Sequence, residues 1–131
     1  KIKAVIENGD SCGLVITGGS YYGLKITKIN GKLIVQQVSY ELTRSEDKEE
    51  IVGGSVPLET DQLYLRLKVS YPNCIESYIS VDNKNYIKIG NTVKYEVSRK
   101  SWVGGKIGIY CTSGNSETHK SYAKYDYINV E

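Results

Sequence analysis

Residues 62–71, Gln-Leu-Tyr-Leu-Arg-Leu-Lys-Val-Ser-Tyr, alternate apolar and polar side chains without a fault. Leu63, Leu65, Leu67 and Val69 fall on one side of such a segment and Tyr64, Arg66, Lys68 and Ser70 on the other. That period of two belongs to a pleated strand and fits no helix. A chain carrying this segment has to build a sheet with one dry face and one wet face. Residue choice agrees. Ile, Val, Thr and Tyr abound while only two Ala are present, and β-branched and aromatic side chains suit a pleated surface better than a helix.

Turn signals divide the remainder into further strands. Ile2, Ala4 and Ile6 alternate up to Asn8-Gly9-Asp10, and a second strand runs from Cys12 to Thr17 before Gly18-Gly19. Tyr22–Lys28 leads to Asn30-Gly31, the dipeptide suited to a type I′ hairpin, and Leu33–Tyr40 follows. After Gln62–Tyr71, the apolar face returns at Ile75, Ile79 and Val81. Matching those faces demands an odd loop, because a one-residue slip turns every side chain over. A three-residue loop then sets Arg66 and Lys68 beside Tyr78 and Glu76, with Glu76 paired to Lys68. Short strands at Tyr86–Ile89, Trp102–Cys111 and Tyr122–Val130 complete about nine, the last with a bulge at Asp126 and Tyr127. Residues 41–61, which include Arg44-Ser-Glu-Asp-Lys-Glu-Glu, read as a solvated loop. The expectation is an all-β, two-sheet antiparallel sandwich in a single module spanning residues 1–131.

The inventory argues against catalysis. His119 is the one histidine, in a polar loop, and Glu46, Asp47, Glu49 and Glu50 fall in the charged segment rather than as a pair on a strand, where a glycosidase needs its two carboxylates. Cys12, Cys74 and Cys111 are too far apart for zinc-binding pairs and too few for a disulfide framework. Cys12 and Cys111 read as small buried hydrophobes; a Cys12–Cys111 or Cys74–Cys111 bond stays open. The chain lacks Met, which points to a module excised from or attached to a larger protein. No run of ~18 apolar residues exists to cross a membrane. The 17 basic and 15 acidic residues nearly cancel, which argues against nucleic acid as a partner.

What remains is aromatic and polar groups on a wet face. Tyr64, Arg66, Glu76, Tyr78 and Tyr110 all point away from the core in this reading. A flat ring can stack on the C–H face of a sugar while flanking charged groups bond its hydroxyls. The same residues could instead serve cross-strand pairing, and Trp102 either plugs the end of the sandwich or stacks on a ligand.

Five motifs in order, Gly13-Leu-Val-Ile-Thr-Gly18, Tyr64-Leu-Arg-Leu-Lys-Val69, Cys74-Ile-Glu-Ser-Tyr-Ile-Ser-Val-Asp-Asn-Lys-Asn-Tyr86, Trp102-Val-Gly-Gly-Lys-Ile-Gly-Ile-Tyr110 and Tyr122-Ala-Lys-Tyr-Asp-Tyr-Ile-Asn-Val130, extend over nearly the whole chain. Together they resemble the C-terminal concanavalin A-like sandwich of family forty-three glycoside hydrolases, the β-xylosidases and α-L-arabinofuranosidases. The resemblance implies a jelly roll that is not itself catalytic. It implies two kinds of partner, an oligosaccharide or polysaccharide of xylan type and a catalytic glycoside hydrolase domain. It also implies that no cofactor is required, that a structural calcium ion could sit at Asp126, and that the location is extracellular, with cytoplasm as the alternative. Since the family's module usually starts further upstream, one or more N-terminal strands are expected to be missing, their place taken by another segment.

Overall fold

The computed structural model describes residues 1–41, 49–95, 105–114 and 120–131. Its ten strands are β1 (Ile2–Val5), β2 (Ser11–Thr17), β3 (Tyr21–Ile29), β4 (Lys32–Tyr40), β5 (Glu49–Leu58), β6 (Gln62–Ser70), β7 (Cys74–Ser80), β8 (Ile87–Lys94), β9 (Lys106–Thr112) and β10 (Tyr122–Tyr125). They form two five-stranded antiparallel sheets, ordered β10-β1-β6-β7-β8 and β5-β4-β3-β2-β9. The all-β sandwich expected from the alternation is the observed architecture. The N-terminal segment supplies β1, which lies between β6 and β10.

The hairpins follow the turn chemistry. Asn30 and Gly31 both take positive φ, 49° and 78°, the left-handed pair that a type I′ turn needs and that Asn-Gly tolerates. The β6–β7 loop holds three residues, Tyr71, Pro72 and Asn73, so that Arg66 faces Tyr78 and Lys68 faces Glu76, as face matching requires. Between the sheets the apolar sides meet. Ile2, Leu63, Ile79 and Ile89 from one layer pack on Cys12, Leu24, Ile26 and Val35 from the other, with Ile16, Tyr22, Ile75 and Tyr95 at one end.

Several expectations are corrected. Residues 49–58 form β5 instead of belonging to a loop. Two glycines and Pro57 disguise the strand, yet β5 is the edge of its sheet, where a missing N–H costs no ladder bond, and the register shifts at Gln37 absorb the irregularity. β8 runs five residues beyond the end of the expected Tyr86–Ile89. The change of phase after Tyr125 is the end of β10, not a bulge. Val81 is exposed in the turn after β7, not buried with Ile79. Ile107, Ile109 and Cys111 do share a side with Ile16, Leu14 and Cys12, but β9 is an edge strand and all three are exposed. All three cysteines are free, and of Cys12 and Cys111 only Cys12 is the buried hydrophobe expected. The charged run at 42–48, His119 and Trp102 lie outside the described residues.

A side chain ties the layers together at each lateral edge. The buried Gln37 of β4 donates from Nε2 to the Asn91 carbonyl of β8 at 2.6 Å and accepts the Asn91 N–H at 2.9 Å. Gly90 makes room for it: φ there is +68°, and a Cβ would stand 2.2 Å from Gln37 Oε1. At the other edge the Tyr125 hydroxyl of β10 donates between the carbonyls of Gly13 (2.7 Å) and Tyr110 (2.8 Å) and accepts the Gly13 N–H at 3.1 Å.

Candidate functional site

The period of two sends Tyr64, Arg66, Glu76 and Tyr78 to the outer face of the first sheet, because Leu63, Ile75 and Ile79 point inward. The four form one surface. Arg66 lies directly opposite Tyr78, and its guanidinium carbon stands 3.6 Å above the centroid of the Tyr86 ring, close enough for a cation–π contact. Tyr86 enters this surface from the 82–85 turn, which is built by one carboxylate. Asp82 accepts the N–H groups of Lys84 and Asn85, each at 2.8 Å, and the Asn85 side-chain amide at 2.7 Å. Those bonds hold Asp82 well below the ordinary carboxylate range, the Asn85 N–H being the largest cause. The Tyr86 hydroxyl donates to Asn83 Oδ1 at 2.5 Å, which fixes the ring further.

Tyr127, just past β10, extends the aromatic surface on the other side. The Tyr64 phenol lies nearby, and partial burial pushes the ionisation of Tyr127 upward. Glu76 accepts from Lys88 Nζ at 2.8 Å and from Thr92. Lys88 is the chief reason its carboxyl is held below the ordinary range. The expected partner Lys68 is its cross-strand neighbour, but the ion pair goes to Lys88. Composition gave no signal for Tyr86 and Tyr127. The Asp82-Asn-Lys-Asn85 turn is what delivers Tyr86.

Tyr110 belongs elsewhere. Its cross-strand partners run through Gly13 to Lys25 and Gln36, which places it on the outer face of the second sheet. It cannot share a ligand with Tyr64 or Tyr78. Its hydroxyl is buried with no hydrogen-bond partner, and burial pushes its ionisation strongly upward. The groups around it satisfy one another. Lys25 Nζ reaches Glu49 Oε1 at 2.5 Å, Tyr21 donates to the other oxygen of Glu49, and the Tyr21 and Tyr40 rings stack at 5.1 Å. This face is closed by its own side chains.

Asp126, the expected calcium ligand, pairs with Lys1 Nζ at 3.1 Å, and that bond lowers its carboxyl. Among the described residues no group of three or more His, Cys, Asp or Glu comes together to hold a metal ion. A carboxylate already matched by an ammonium and belonging, among the described residues, to no such cluster does not fit calcium, which takes six to eight oxygens. Asp10 is instead structural. It is buried and accepts from Ser121, from the Gly114 N–H at 2.8 Å and from Ser113 at 3.1 Å, with the Ser121 bond the main reason its carboxyl is lowered.

Comparison with known proteins gives two findings. A family model described as the beta xylosidase C-terminal concanavalin A-like domain matches residues 4–131. No curated protein matches. Among solved structures, a chain from work on a GH43 glycoside hydrolase engineered to display both endo-xylanase and exo-arabinofuranosidase activity has a TM-score of 0.75 over 88% of this chain at 15% identity. The present chain spans 25% of that one, and the likeness is one of fold.

Proposed function

The chain belongs to the family of β-xylosidase C-terminal concanavalin A-like domains, the non-catalytic sandwich and not the catalytic domain, and from that premise we propose that it is a glycan-binding module for xylan-type chains. The ligand surface in this reading is the outer face of the first sheet. The observation that carries it is the Arg66–Tyr86 stack beside Tyr64, Tyr127 and Tyr78. The Tyr86 ring is held in place before any ligand arrives, by a guanidinium and an Asx-type turn. Preorganised rings bind at a smaller entropic cost than mobile ones. Glu76, Lys88 and Thr92 stand alongside as hydrogen-bonding groups for hydroxyls.

Calorimetric titration of the chain with xylo-, arabino- and gluco-oligosaccharides tests this. Saturable heat with at least one of them, weakened in Tyr64→Ala and Tyr78→Ala but not in Tyr110→Phe, is the expected result. A folded protein that gives no heat with any member of the panel refutes it.

A second reading, an accessory domain that docks on a glycoside hydrolase catalytic domain, has its own observation. Ile107 and Ile109 stand on one side of β9 with 49% and 47% of their surface exposed. Ile109→Asp would then abolish association with a family forty-three catalytic domain supplied in trans, measured by sedimentation, and leave glycan titrations unchanged.

A further inference from the structure

The near-neutral chain hides a one-sided charge distribution. Register and the period of two place Lys124 of β10, Lys1 and Lys3 at β1, Arg66 and Lys68 of β6, and Lys88 and Lys94 of β8 on the outer face of the first sheet. Two carboxylates at these positions, Glu76 and Asp126, are each engaged, by Lys88 and Lys1 respectively, and Asp82 in the adjoining turn is bound within that turn. Seven cations against two carboxylates at these strand positions make a basic strip in a chain whose formal net charge is only +2.

The arrangement does not serve the fold. Lys3 and Lys124 are directly opposed across β1 and β10, and like charges in that relation destabilise a sheet. Among the described residues neither lysine has a carboxylate within ion-pair distance. The second sheet shows what neutralisation looks like: its outward Lys25 is held by Glu49. On the first sheet cations flank the tyrosines from both sides, Lys3 and Lys124 on β1 and β10 beyond Tyr64, Lys88 and Lys94 on β8 beyond Tyr78, with Lys68 on the strand of Tyr64 itself.

We infer that the glycan this face takes is acidic, a chain bearing uronic-acid carboxylates that lie against the lysines while its sugar rings lie on the tyrosines. This rests on the glycan-binding reading of the same face and narrows its ligand class. Nucleic acid would satisfy the charge, but it is read by Arg and Lys tracking phosphates at regular spacing, whereas here the cations are split into two groups around an aromatic strip.

The test compares a neutral xylo-oligosaccharide, the same oligosaccharide carrying a glucuronic-acid branch, and the branched one after reduction of its carboxyl to the alcohol. Titrations run at about 20 mM and about 500 mM salt, between which the Debye length falls from ~20 Å to ~4 Å. The expected result is that the acidic form binds roughly fivefold to tenfold more tightly than either neutral form at low salt, about the size of one charge contact near a surface. High salt should erase the gap. Lys3→Gln and Lys124→Gln should each reduce it while leaving neutral-glycan affinity and the melting temperature intact or the latter higher, since a repulsion is removed. Equal affinity for all three glycans overturns the inference and leaves the glycan-binding reading standing. Silence with all three overturns both. Binding of a single-stranded oligonucleotide, with silence toward the acidic glycan, overturns the inference in favour of another polyanion.

Discussion

Replacing Gln37 tests whether the two layers are held by a specific bond or only by apolar packing. Its amide makes two hydrogen bonds to the backbone of Asn91 in the opposite sheet, at 2.6 and 2.9 Å, from a fully buried side chain. Gln37→Met keeps the shape and removes both. Each bond contributes ~1 kcal/mol net, and the Asn91 N–H and carbonyl, being partly accessible, regain some water. The expected loss is about 2 kcal/mol. Unfolding entropy of ~2.1 cal/mol/K per residue makes that a drop of about 7 °C in melting temperature for a chain of 131 residues. Gln37→Glu sharpens the test. At neutral pH a carboxylate faces the Asn91 carbonyl and repels it, so this variant should melt lower than Gln37→Met. Protonation restores a donor, so its deficit should shrink as the pH is lowered from 7 toward 5. Scanning calorimetry across that range reads both effects. A loss under about 2 °C for Gln37→Met, or a Gln37→Glu deficit that ignores pH, would refute the clamp.

Other outcomes follow from the same geometry. Tyr125→Phe removes the hydroxyl shared by Gly13 and Tyr110 and should cost about 1–2 kcal/mol in urea denaturation, with no change in glycan titration. Asp10 has a folded ionisation below its ordinary value of 3.8, so its contribution is complete above that pH and is lost as the pH falls through it toward the folded value. Asp10→Asn should therefore flatten the acid limb of the melting-temperature profile below about pH 4, and an unchanged limb would contradict the assignment. Burial pushes the Cys12 thiol up to about 12, so iodoacetamide at mildly alkaline pH should label the exposed Cys111 and spare Cys12 until the chain unfolds, as peptide mapping would show. Arg66→Ala frees the Tyr86 ring and should weaken glycan binding several-fold, with a change in melting temperature small enough to belong to an exposed cation–π contact.

Strand alternation and turn chemistry carried most of the architecture in plain sight. The β6–β7 hairpin, its three-residue loop and the Arg66–Tyr78 juxtaposition all follow from the requirement that Leu63, Leu65, Ile75 and Ile79 meet on one side. β5 was illegible because its register is repaired by Gly54, a bulge at Gln37 and a proline at an edge, and none of these leaves an alternating pattern. Tyr110 does point away from the core, as alternation predicts, but from the other sheet, and that was illegible for a different reason. Alternation tells which side of its own sheet a residue takes but not which sheet the strand joins, and β9 joins β2, far in sequence from β6 and β7. Charge was opaque in the same way. Counting basic and acidic residues along the chain gave near balance, while sheet order gathered seven of the 17 basic residues onto one face.

The contrast between the two outer faces separates what holds the fold from what meets a partner. On the second sheet Lys25, Glu49, Tyr21 and Tyr40 neutralise and cover one another, as side chains do when a surface has no task beyond being stable. On the first sheet lysine opposes lysine, and the rings are locked by contacts within the face that reach no residue of the core. The bonds between layers, Gln37 with Asn91 and Tyr125 with Gly13 and Tyr110, lie at the two lateral edges and touch neither outer face. Stability and recognition are thus assigned to separate residues. Substitutions at Gln37 and Tyr125 should lower the melting temperature and leave ligand affinity alone, whereas Tyr78→Ala should weaken affinity, and Lys3→Gln and Lys124→Gln weaken it for acidic glycans, without lowering the melting temperature. Because the two groups share no partner and lie in different layers or at different edges, their effects should add in double variants. A Gln37→Met/Tyr78→Ala protein with a loss of affinity well beyond that of Tyr78→Ala alone would show that the edges shape the binding face after all.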